Sequence, residues 1–94
     1  MVNELMRLRA LILAFQASDI TLNQFCLRAG VVIEEIDAMY FSPDESRLSS
    51  IWADLEIMNA TSLDDPSYRI ANGAVQELTS EMLKQVETIS RSLN

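Results

Sequence analysis

Ninety-four residues, 49% of them apolar and 22% charged, suit one small folded domain: too short for a second core, too apolar to stay disordered. Fourteen acidic residues stand against seven basic ones for a net charge of −7, which argues against ordinary nucleic-acid binding. Two glycines and two prolines are too few to punctuate an all-β chain, so an all-α domain is expected.

Along the chain, Leu5, Leu8, Leu11, Ile12 and Phe15 recur at helical spacing and predict a first helix over 2–17. The apolar run from Leu11 to Phe15 is too short to cross a bilayer, and no cleavage pattern follows it. With one cysteine, Cys26, placed on an inward helix face, this predicts a cytoplasmic protein with Cys26 as a small core residue. Ser18 and Asp19 break the first helix. Thr21 can cap a second, running to Ala29, because its hydroxyl can accept from the free amides of the next turn. Gly30 is expected to end that helix in a sharp turn with positive φ, and a third helix follows over 32–41.

Ser42, Pro43 and Glu45 form a helix-start signal: a cap, a first-turn proline and the far member of a capping box. The helix they open carries Leu48, Ile51, Trp52, Leu55 and Met58 on one stripe, with Trp52 as a core anchor and Asn59 as its terminator. Residues 60–71 hold Ser, Asp, Pro and Tyr and predict a hinge loop. From 72 to 93 a long amphipathic helix follows, with Val75, Leu78, Met82, Val86 and Ile89 at steps of three and four. That stripe either closes the core or pairs with its copy in a second subunit to make a homodimer. The expected organisation is therefore one all-α domain over 1–94, with a helix-turn-helix-like core at 2–59 and a long carboxyl-terminal amphipathic helix.

Thr21, Phe25, Cys26, Ala29, Gly30 and Val31, then Ile36 and the pair Tyr40 and Phe41, stand at spacings that resemble the amino-terminal helix-turn-helix domain of the TetR repressor family. The likeness covers roughly 5–55, and residues 59–94 do not amount to that family's ligand-binding domain. It implies a regulator whose third helix is presented to a partner. In that family the partner is DNA; here the presented face carries Glu34, Glu35 and Asp37 with no Lys or Arg, and Asp44 and Glu45 follow.

Charge therefore carries the functional expectation. Between Glu34 and Asp65 the acids are Glu34, Glu35, Asp37, Asp44, Glu45, Asp54, Glu56, Asp64 and Asp65, against Arg47 alone. A DNA reader gains affinity by neutralising phosphates with Lys and Arg, and an approach of like charges to about 4 Å costs roughly 1 kcal/mol even in water. The plainer explanation is a solvated face that keeps a small apolar protein in solution. The sharper one is a docking face for a basic protein surface, such as that of a nucleic-acid-binding protein, toward which carboxylates can imitate phosphates. The analogy is with small acidic helical proteins of phages and mobile elements.

Partner-binding residues on this reading are Val32, Ile33, Glu34, Glu35, Asp37, Tyr40, Asp44 and Glu45, with dimerisation through Val75, Leu78, Met82, Val86 and Ile89. No cofactor, metal or membrane partner is expected. The absence of histidine removes the commonest general base and metal ligand, Glu34 and Glu35 point about 100° apart on a helix, and neither glycine has a phosphate-loop motif around it, so catalysis is not expected. The alternative function is a small dimeric helix-turn-helix transcription regulator that holds phosphates with Arg7, Arg9, Arg28 or Arg47. A third is a structural subunit whose last helix completes another protein's bundle.

Overall fold

The structure is a computed structural model that describes residues 2–39, 43–65, 67–69 and 72–92, with backbone alone at Val2, Asp37, Met39, at 43–46, and at Asn72 and Ser92. Four helices account for almost all of it: α1 (Val2–Gln16), α2 (Leu22–Met39), α3 (Pro43–Asp64) and α4 (Asn72–Ser92). This is a small all-α domain with no strand among the described residues.

Each helix packs on the next, and α4 returns to α1, so the four form a closed square rather than a layer. Short connections force sequential neighbours to run antiparallel. The cross-contacts agree: Arg7 near the start of α1 meets Glu35 near the end of α2, and Asn23 at the start of α2 meets Asn59 toward the end of α3. The bundle measures 45 × 24 × 19 Å with a radius of gyration of 13.1 Å.

Local chemistry sets the first helix ends. Ser18 takes a left-handed φ of 63°, its amide donates to the Phe15 carbonyl (3.0 Å), and the Asp19 amide reaches back to Ala14 (2.9 Å). That pair of bonds is a Schellman closure with serine in the place glycine usually fills. Thr21 then opens α2 as expected. Its hydroxyl accepts from the Gln24 amide (3.1 Å) while Gln24 Oε1 accepts from the Thr21 amide (3.0 Å), a reciprocal capping box. At α3 the helix begins at Pro43, as the sequence signal predicted.

Two expected breaks are absent. No turn forms at Gly30, which has no positive φ, and α2 continues as one helix to Met39. Gly30 is needed there for space: a Cβ on it would lie 2.8 Å from Trp52 Cζ2. The indole lies against the bare backbone and donates from Nε1 to the Cys26 carbonyl (2.9 Å). Nor does Asn59 end α3. It is buried and donates to Asn23 Oδ1 (2.9 Å), while the hydroxyls of Thr61 and Ser62 fold back onto the Ile57 and Asn59 carbonyls (2.8 Å each). These polar side chains bond to their own helix instead of competing with it, so α3 continues to Asp64 and takes in the first part of the predicted hinge.

The core collects Leu5, Leu8 and Ile12 from α1, Phe25, Ala29, Val32, Ile33 and Ile36 from α2, Leu48, Ile51 and Leu55 from α3, and Val75, Met82, Val86 and Ile89 from α4. Phe15 and Phe25 add a tilted ring pair at 5.3 Å between centroids. Of the two uses open to the α4 stripe, the structure shows it closing this chain's own core: Val75, Met82, Val86 and Ile89 are buried and Leu78 packs against them. Buried Thr79 fits among them because its hydroxyl donates to the Val75 and Gln76 carbonyls (3.1 Å each).

Candidate protein-docking face

An uninterrupted α2 fixes which residues face outward. With Phe25, Ala29, Val32 and Ile36 turned to the core, steps of 100° per residue carry Leu27, Val31 and Glu34 to the opposite side. Leu27 is 64% exposed and Val31 55%, whereas Val32 and Ile33, expected as exposed contact residues, are 2% exposed each. The phase error has a simple origin. A turn at Gly30 would restart the helix and free Val32 and Ile33; a continuous helix turns them inward and leaves Val31 outside.

A groove of about 540 Å³ runs beside this stripe, between α2 and α3. Leu27, Val31 and Glu34 form its α2 side, Ala53 and Glu56 its α3 side, and half-buried Trp52 lies between them against Gly30. No Lys or Arg lines it. Covering Leu27 and Val31 with a partner would stabilise a complex by about 2 kcal/mol each at full burial. Glu34 and Glu56 set the sign of charge that a partner must bring.

Cys26 reaches the floor of the same groove. Burial pushes its thiol up to about 12, and the nearby charge of Glu56 and a hydrogen bond to that carboxylate act in the same direction. Among the described residues no group of three His, Cys, Asp or Glu side chains is placed to hold a metal ion.

The remaining candidate acids separate. Glu35 lies on the α1 side of α2, where Arg7 Nη1 donates to its Oε2 at 3.1 Å, so it pairs within the chain rather than joining Glu34. Asp44 and Glu45 are in the first turn of α3 and Asp37 near the end of α2; their side chains, like all of Tyr40, lie outside the described residues. Of the eight partner-binding residues read from the sequence, the groove therefore includes exposed Glu34 and, at its buried base, Ile33. Leu27, Val31, Trp52, Ala53 and Glu56 were missed in that role. The spacing of Leu27 and Val31, opposite Phe25, Ala29 and Ile36, was the available signal once α2 is taken as one helix.

Two of the four arginines of the alternative DNA-binding reading are held by carboxylates of other helices. Arg7 pairs across to α2, and Arg47 Nη2 donates to Glu81 Oε1 on α4 at 2.7 Å. Among the described residues, no helix is long and apolar enough to cross a membrane. No family model, curated protein or solved structure matches the chain.

Proposed function

We propose that this protein is a non-catalytic regulator that works by contact, docking the outer face of α2 and α3 on a basic protein surface. The observation that carries the reading is the pairing of exposed Leu27 and Val31 with Glu34 and Glu56 along a groove lined by no cation. Apolar exposure supplies affinity and the carboxylates supply steering and selectivity. A nucleic-acid-binding partner would meet carboxylates where it normally meets phosphates, and occupying that surface would block it. The DNA-reading alternative has less support, because Arg7 and Arg47 are engaged by carboxylates of this chain on different sides of the bundle.

The test is charge reversal of Glu34 and Glu56 to lysine, with co-purification from the cells that make the protein. A basic partner should be lost while the double variant still folds, and reversal of exposed Glu34 alone should leave stability within about 1 kcal/mol. Undiminished capture by the folded double variant refutes the assignment.

A further inference from the structure

A second groove lies on the other side of α3. It runs between α3 and α4, floored by Ile57, Met58 and Leu78 and overhung by Tyr68 from the connection that follows α3. Three carboxylates line it: Asp54 from α3, with Glu77 and Glu81 from α4. Ile57 is 65% exposed, so the apolar floor is open to a partner. Glu77 and Glu81 stand four residues apart on one helix face, an arrangement of like charges that weakens the helix carrying it. Arg47 answers Glu81; among the described residues no cation pairs with Asp54 or Glu77.

We propose that this groove takes a cationic amphipathic helix from a partner protein, its apolar stripe on Ile57, Met58 and Leu78 and its Lys or Arg side chains reaching Asp54, Glu77 and Glu81. Helix grooves of this kind read an apolar residue at every third or fourth position, and carboxylates spaced by one helical turn match cations spaced the same way on the ligand. A second copy of this chain is a poor occupant, because its net charge of −7 opposes the approach. The groove is separate from the α2–α3 face, and either assignment can fail without the other.

The probe is a fluorescein-labelled helical peptide of leucine and lysine, about four turns long, with a control in which every leucine is serine. Anisotropy titrations at physiological ionic strength should give binding at least about tenfold weaker for the control peptide, a difference of about 1.4 kcal/mol. The variants Ile57→Ser and Glu77→Lys, checked for unchanged thermal unfolding, should each weaken the leucine-containing peptide by about tenfold. Leu27→Ser combined with Val31→Ser should not, and Trp52 emission should stay unshifted because the indole lies in the other groove. Equal binding of the two peptides, or full affinity in the Ile57→Ser and Glu77→Lys variants, overturns the proposal. So does a Trp52 shift with affinity lost only in the Leu27/Val31 variant, which places the peptide on the α2–α3 face. Concentration-dependent self-assembly that Ile57→Ser abolishes would also overturn it, by assigning the groove to a second copy.

Discussion

Helices α2 and α4 are similar in length, yet they distribute their apolar residues differently. In α4 they form one stripe, Val75, Met82, Val86 and Ile89, and the opposite side is polar: Gln76, Glu77, Ser80, Lys84 and Arg91. That stripe is buried within its own bundle. In α2 the core takes Phe25, Ala29, Val32, Ile33 and Ile36, and Leu27 and Val31 are left outside beside Glu34. A helix with a single stripe tells how a chain folds; a helix with apolar residues on two sides points to a use beyond folding.

The contrast is sharpest where apolar side chains are truncated. Met82→Ala on α4 should cost about 3 kcal/mol in denaturant unfolding, since a fully buried side chain leaves a cavity. Leu27→Ala on α2 should cost less than about 0.5 kcal/mol despite the comparable loss of apolar atoms. Equal costs at the two positions would erase the distinction.

Next in size is the polar contact that sets α2 against α3. Asn59→Ala should cost about 2 kcal/mol by leaving Asn23 Oδ1 without its donor in a part-buried site. Gly30→Ala weighs two opposed effects. Alanine improves helix propensity by about 1 kcal/mol, but its Cβ would meet the Trp52 ring at 2.8 Å, and overpacking of that kind costs about 1–3 kcal/mol. A net loss of about 1 kcal/mol is expected, with a change in Trp52 emission; a net gain would mean that the indole does not lie on Gly30. The smallest expected change is a gain. Ser18→Gly should stabilise by about 0.5–1 kcal/mol, because glycine holds a left-handed φ without a Cβ penalty.

Thiol chemistry probes the groove floor. With its pKa raised from 9.0 to about 12, Cys26 stays protonated in the folded protein while an unfolded chain ionises above 9. Its contribution to stability is therefore complete below pH 9 and falls as pH rises from 9 toward 12. At pH 8 an alkylating reagent should leave folded Cys26 unmodified and react once denaturant is added; rapid modification of the native protein would contradict the buried placement.

Much of this was legible from local chemistry. The Thr21 cap, the break at Ser18 and Asp19, the Pro43 start and the α4 stripe each rest on interactions within a few residues, and each is found where those interactions put it. What was hidden depends on another helix. Gly30 looks like a turn glycine in isolation, and only the Trp52 ring arriving from α3 explains a glycine inside a continuous helix. Asn59 looks like a terminator until Asn23 supplies its partner. The docking face inherited the first of these errors: a turn assumed at Gly30 exchanged Val31 with Val32 and Ile33, and so moved the expected contact residues from the surface into the core.

The most direct test is carbene footprinting of α2, carried out on the purified protein and again in extracts of the cells that make it. Leu27 and Val31 should label readily in the purified chain and become protected in the extract, with Val32 and Ile33 protected in both. Labelling of Leu27 and Val31 that is the same in both settings, or free labelling of Val32 and Ile33 in the purified protein, would contradict the account.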